Sequence, residues 1–234
     1  MKHIEIQTPD GKAPAVFWDN KGPSVLFFID GIGMRQAIVD VAAKIADHGY
    51  RVVAPDLFYR LGPYVAPDPQ ALFTDPEVGK AWWARLVPMM TAENVTKDLK
   101  AYLDFLNVPK VGTVGYCMGG RIAFTAAALF PDRIAAAAAY HPGGLVSDGA
   151  DSPHHLAPKV VAKVYIGAAM EDRSFDADQI KTFDKALTDA HVEHTIEVYP
   201  ARHGWVPSDT AVHDEAATKR HYETLFALFE STLR

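Results

Sequence analysis

Apolar and polar positions change their period several times along the chain, and each change marks an element. Ile4 and Ile6 alternate with polar neighbours, Thr8-Pro9-Asp10-Gly11 supplies a turn, and Ala13 to Trp18 returns, which predicts an antiparallel hairpin. Ser24 to Ile29 is almost continuously apolar, the pattern of a buried strand. Ile38, Val41, Ala42 and Ile45 then recur at helical spacing, with Gly49 placed to stop the helix. Arg51 to Ala54 predicts another strand, closed by Pro55-Asp56.

Between Arg60 and Pro88 the periodicity breaks. Pro63, Pro67, Pro69, Pro76 and Pro88 fall here, with Trp82 and Trp83 near the end, and the stretch (residues 60–90) reads as a lid or lateral excursion. A helix resumes near Glu93 and carries Leu99, Tyr102, Leu103 and Leu106. Val111 to Val114 predicts a strand, and Gly120 to Phe130 an Ala-rich helix stopped by Pro131-Asp132. Ile134 to Tyr140 holds five consecutive alanines. Propensity favours a helix there, but seven residues between two Pro-containing turns are too few, so a buried strand is expected. Val161 to Gly167 and His194 to Tyr199 predict strands, and Gln179 to Ala190 and Glu215 to Leu233 predict helices.

Strands alternating with helices imply an α/β fold, a mostly parallel central sheet with helices on both faces. No Gly/Ser-rich linker divides residues 1–234, so one domain is expected.

Composition narrows the partners. The formal net charge is −6 and no Lys/Arg cluster occurs, which argues against nucleic acid. A single cysteine excludes an intrachain disulfide and fits a reducing compartment. The start, Met1-Lys2-His3-Ile4-Glu5-Ile6, lacks the apolar core of a signal peptide, and no apolar run reaches membrane-spanning length. The expectation is a soluble cytoplasmic protein, a monomer or homodimer, acting on a small molecule without a membrane or nucleic-acid partner.

That one cysteine carries the chemistry. Cys117 lies in Gly115-Tyr116-Cys117-Met118-Gly119-Gly120, between a predicted strand and a predicted helix. Gly-x-nucleophile-x-Gly in this position is a nucleophile elbow, usually built with serine. The elbow's expected partners follow in the order nucleophile, acid, histidine. Glu171 and Asp172 follow the strand Val161 to Gly167, and either can point inward. His203 follows the last strand, within Pro200-Ala201-Arg202-His203-Gly204-Trp205.

With these residues in place, the chain resembles the dienelactone hydrolase family of α/β-hydrolases over nearly its whole length. The resemblance rests on Ser24-Val25-Leu26-Phe27-Phe28-Ile29-Asp30-Gly31, the Cys117 motif and Arg202-His203-Gly204-Trp205. It implies an ester or lactone hydrolase with Cys117 as nucleophile, His203 as base and Asp172 as acid. It further implies that the carboxylate at position 30 contacts the resting thiol, although the family has glutamate there and this chain has Asp30. The family's arginine shortly after the catalytic histidine is missing, since Trp205-Val206-Pro207-Ser208 follows His203. The substrate therefore stays open.

The backbone N–H of Met118, with that of Gly31 or Ile32, is the expected oxyanion hole. A helix N-terminus at Cys117 favours an anion there. No metal or organic cofactor is called for, and the adjacent His154-His155 lacks metal-ligand spacing. Tyr116, His141, Arg35 and Trp205 are candidates for the substrate side, as are Trp82 and Trp83. His141 is as readily a structural histidine, and Arg35 more readily a solvated arginine than an anion-binding one.

A thiol also restricts the substrate. A free thiol has a pKa of about 8.5, whereas hydroxide, which a simple alkoxide resembles, has a parent acid of pKa about 15.7. The tetrahedral intermediate of an alkyl ester therefore tends to expel the thiolate, so activated acyl groups such as enol lactones, aryl esters or thioesters suit Cys117. A non-catalytic or redox-responsive binding protein that kept the fold is the rival reading.

Overall fold

The computed structural model describes residues 1–234. Eight strands form its centre: β1 (Lys2–Thr8), β2 (Gly11–Trp18), β3 (Ser24–Phe28), β4 (Arg51–Pro55), β5 (Val111–Tyr116), β6 (Ile134–Tyr140), β7 (Lys163–Ala169) and β8 (His194–Tyr199). They make one sheet in the order β1-β2-β4-β3-β5-β6-β7-β8. Strand β2 runs antiparallel to β1 and β4, and all other neighbours are parallel. The hairpin is thus the antiparallel edge of a parallel sheet. Its turn is closed by Thr8, whose hydroxyl donates to the Gly11 carbonyl at 2.8 Å.

Seven helices flank the sheet: α1 (Gln36–Asp47), α2 (Pro69–Thr74), α3 (Pro76–Leu86), α4 (Ala92–Leu106), α5 (Met118–Leu129), α6 (Ala177–Asp189) and α7 (Glu215–Leu233). Consecutive residues of β5 show which face each covers, because side chains alternate across a strand. A Cβ at Gly112 would lie 2.7 Å from Leu233 and 2.9 Å from Phe229 of α7. The next residue, Thr113, donates instead to the Ala123 carbonyl of α5 at 3.2 Å. Helix α1 joins α7 on its face, where His48 stacks on Phe226 with ring centroids 3.8 Å apart.

The alanine run is a central strand, paired in parallel with β5 and β7. Tertiary pairing overrides helix propensity, and the small side chains serve the packing. A Cβ on Gly120 of α5 would already sit 3.1 Å from the Ala139 Cβ. Strand β7 begins at Lys163 rather than Val161 and continues to Ala169. Pairing with β6 begins at Ala136 and Lys163, which sets the later start.

The stretch from Arg60 to Pro88 is more ordered than its broken pattern implies. It holds α2 and α3, each opened by an Asp-Pro pair. Asp68 accepts from the Ala71 N–H at 2.8 Å, and Asp75 accepts from the Glu77 N–H at 2.9 Å. Aspartate at the N-cap with proline at the first helical position is the strongest local start signal a short helix has. No helix in the structure is long and apolar enough to cross a membrane.

Candidate active site

The parallel strands end together, and the loops leaving β3, β5, β6, β7 and β8 converge there, as ligand sites of open α/β sheets do. Cys117 follows β5 with φ 54° and ψ −118°, a conformation disfavoured for a side chain larger than glycine. Two glycines make this strained turn sterically feasible. A Cβ at Gly115 would overlap the Gly119 carbonyl, and one at Gly119 would overlap the carbonyls of Phe28 and Ile29. The turn is held by the Cys117 N–H donating to the Tyr140 carbonyl at 3.1 Å, and by the Cys117 carbonyl accepting from Gly120 at 3.0 Å and Gly143 at 3.3 Å.

Asp172 and His203 meet across the loops after β7 and β8. The distance from His203 Nδ1 to Asp172 Oδ2 is 2.6 Å, which leaves Nε2 for other partners. Asp172 Oδ1 accepts from the Ser174 hydroxyl at 2.6 Å and the Ser174 N–H at 2.8 Å, so the carboxylate is fixed from both sides. Burial alone raises the Asp172 pKa, but His203 and Ser174 outweigh it and hold it below the usual value. Burial alone lowers the His203 pKa. The negative charge of Cys117 and the bond and charge of Asp172 outweigh that and push it up to about 10. A raised pKa keeps the charged form to higher pH, so His203 is expected to remain an imidazolium through neutrality and titrate near pH 10. In Cys117→Ala the thiolate contribution disappears, and the His203 ring resonances followed by NMR are expected to titrate at lower pH.

Cys117, His203, His141, Asp30, Gly31 and Ile32 line one cavity of about 430 Å³. Its other side comes from α2 and α3 through Pro69, Gln70, Phe73, Thr74 and Trp83, and from the loop after His203 through Thr210, Ala211 and Val212. The excursion thus covers the site. It is pinned there by the Trp82 indole N–H, which donates to the Gly31 carbonyl at 2.8 Å. Gly31 needs its bare Cα, because a Cβ would come within 2.9 Å of the Trp83 ring.

The two expected oxyanion donors differ. Met118 opens α5, so its N–H has no acceptor within the helix. Of the two alternatives on the β3 loop, the Ile32 N–H is already committed to Asp30 Oδ1 at 3.0 Å, which favours Gly31.

Asp30 lines the cavity with Cys117, whereas Arg35, a candidate for the substrate side, lies behind it. Arg35 is buried rather than solvated and binds Asp30 through two nitrogens, at 2.7 and 3.0 Å. It also binds Asp209 at 2.7 and 3.1 Å. Arg35 does not line the cavity, and Asp30 lines it as one half of this ion pair. Burial pushes the Asp30 pKa up, against Arg35 and the Ile32 N–H.

Tyr116 and Trp205 also lie off the cavity. Tyr116 precedes Cys117 on the strand, so its side chain takes the opposite face, where its hydroxyl lies 2.8 Å from His221 Nε2. Trp205 is fully buried and stacks on Tyr199 with centroids 4.8 Å apart. His141 is buried with both ring nitrogens unpartnered, 5.2 Å from His203 and 4.9 Å from Trp205 between ring centroids. Burial holds it well below the usual histidine pKa, hence neutral. It is not bonded to backbone as a structural histidine would be.

A sequence profile of the dienelactone hydrolase family matches residues 12–233. The chain belongs to the dienelactone hydrolase family. A carboxymethylenebutenolidase of Pseudomonas putida is 31% identical over 141 residues, 53% of this chain and 55% of the relative. A protein of Synechocystis sp. provisionally named carboxymethylenebutenolidase is 25% identical over 224 residues, 91% of this chain and 87% of its own. Among solved structures, a provisionally named dienelactone hydrolase of Klebsiella pneumoniae superposes with a TM-score of 0.84 at 24% identity, over 98% of this chain and 97% of that one. That likeness is one of fold, the α/β-hydrolase fold. As a member of the dienelactone hydrolase family the chain is a hydrolase acting on ester or lactone bonds.

Ser174, Asp209 and the α2 residues Gln70, Phe73 and Thr74 were not among the sequence candidates. Ser174 had a signal, since Asp-x-Ser is the spacing at which an aspartate folds back on the backbone and hydroxyl two residues on.

Proposed function

We propose that this member of the dienelactone hydrolase family cleaves activated esters or lactones through a Cys117–His203–Asp172 triad and a thioester acyl-enzyme. The observation that supports it most is the 2.6 Å contact of His203 Nδ1 with Asp172, in a cavity shared with a cysteine on a strained elbow.

In the proposed cycle the Cys117 thiolate attacks the acyl carbon and forms the C–S bond. The carbonyl electrons move to oxygen, where the N–H groups of Met118 and Gly31 receive the charge. The intermediate collapses by breaking the bond to the leaving oxygen, which takes the proton of His203 Nε2. Water then attacks the thioester, His203 accepts its proton, and the C–S bond breaks to return the thiolate. Asp172 holds the imidazole orientation and its positive charge throughout. Helices α2 and α3 act as the lid that keeps the cavity dry.

One feature supports a preference for activated acyl groups: the thiolate is a better leaving group than an alkoxide, so an unactivated ester tends to return to the starting complex. A panel of p-nitrophenyl esters, enol lactones and matched amides tests the reading. Turnover of the first two without the amides is the expected result. Amide cleavage without ester cleavage contradicts it.

A further inference from the structure

The walls of the cavity carry a preference that the names of the relatives do not suggest. A carboxymethylene-substituted butenolide bears a carboxylate at neutral pH. We infer that this cavity instead selects acyl groups that are uncharged at the end remote from the reacting carbonyl, and that Asp30 is the residue that enforces the selection. The inference rests on the ester or lactone hydrolase reading of the same site.

Three observations carry it. Apolar side chains, Ile32, Phe73, Trp83 and Val212 among them, line the cavity with the neutral polar Gln70, Thr74 and Thr210 between them, so a carboxylate would lose water there without gaining a counter-charge. No lysine or arginine lines the cavity, and its one cation, His203, is already bonded to Asp172. The remaining charge in the wall is negative. Asp30 faces the cavity, and Arg35 behind it is shared with Asp209, so two carboxylates divide one guanidinium. Both forks of Arg35 are occupied, at 2.7 and 3.0 Å to Asp30 and 2.7 and 3.1 Å to Asp209. A carboxylate-bearing acyl group would meet this excess negative charge with no free cation to receive it, and like charges brought together inside a low-dielectric site discriminate strongly.

Asp30 also donates no hydrogen bond and accepts one from the Ile32 N–H. Its place is therefore set by the loop itself as well as by Arg35. An uncharged acyl chain packs against Ile32 and Trp83 beside it, whereas a charged one is repelled.

The test uses the whole protein and two pairs of probes. Valeranilide and glutaranilate resemble aryl ester substrates, resist cleavage, and differ by a terminal methyl against a carboxylate. Titration calorimetry is expected to show valeranilide bound at least about tenfold more tightly. In Asp30→Asn the ratio is expected to shrink toward unity. Equal or tighter binding of glutaranilate by the unaltered protein, or no binding of either at millimolar concentration, overturns the inference. An unchanged ratio in Asp30→Asn overturns the assignment to Asp30. The matched esters, p-nitrophenyl valerate and mono-p-nitrophenyl glutarate, separate the selection from the hydrolase reading, with the release that the glutarate carboxylate promotes without enzyme subtracted. Equal nitrophenol release from both defeats the selection but leaves the hydrolase reading, whereas release from neither defeats that reading itself.

Discussion

Cys117→Ala is expected to lower turnover of an activated aryl ester by about 10³-fold or more, with little change in the unfolding midpoint. The size follows from the chemistry. Without the sulfur no acyl-enzyme forms, and the residue left behind has a cavity and N–H donors but no nucleophile. The small stability effect follows from the environment. The Cys117 side chain is only partly buried, and the turn is held by backbone bonds that alanine keeps. Alanine retains the Cβ that the strained φ of 54° already accommodates, so the fold meets no new clash. Comparison of ester hydrolysis and urea unfolding in the two proteins checks both halves.

Asp172→Asn is expected to cost about 10² to 10⁴-fold in kcat while leaving the fold in place. The carboxylate does two things that an amide cannot. Its Oδ2 accepts the hydrogen bond of Nδ1–H at 2.6 Å, which leaves Nε2 for the nucleophile, and its charge supports the imidazolium. An asparagine turned to put its NH₂ on Nδ1 selects the wrong tautomer. One turned the other way puts that NH₂ against the Ser174 hydroxyl and N–H, which now donate to Oδ1. Loss of the charge also lowers the His203 pKa. The substitution is thus expected to move the pH profile as well as the rate, a result that loss of packing alone would not give. A pH–rate series on the variant reads both.

The part of this molecule legible in its sequence is the part that topology orders. Cys117 after β5, Asp172 after β7 and His203 after β8 are legible as positions because each follows a strand that its own apolar run announces. Even the alanine strand was readable, since its length between turns ruled out a stable helix. Helices α2 and α3 were not read, because short elements with five prolines around them leave little periodicity. Their Asp-Pro starts, at Asp68-Pro69 and Asp75-Pro76, held the information in capping rather than in pattern.

Side-chain direction was the second gap. Tyr116 adjoins Cys117 in sequence, yet strand alternation sends it to the α7 face and the neutral His221, whose pKa burial lowers to about 3. The Arg35 clamp is beyond reach for another reason, since Arg35 joins neighbouring Asp30 to Asp209, a carboxylate 174 positions beyond the arginine. No local pattern encodes such a contact, although it fixes where Asp30 stands: the carboxylate is held by Arg35 at the wall of the cavity that Cys117 also lines.

Cys117 is expected to be acylated during turnover. The most direct measurement is intact-protein mass spectrometry, with peptide mapping, on samples acid-quenched during hydrolysis of p-nitrophenyl valerate. The expected result is a valeryl adduct on the peptide containing Cys117, formed with the burst of nitrophenol and lost as substrate is exhausted. Full turnover with no adduct on Cys117, or with undiminished activity in Cys117→Ala, contradicts it.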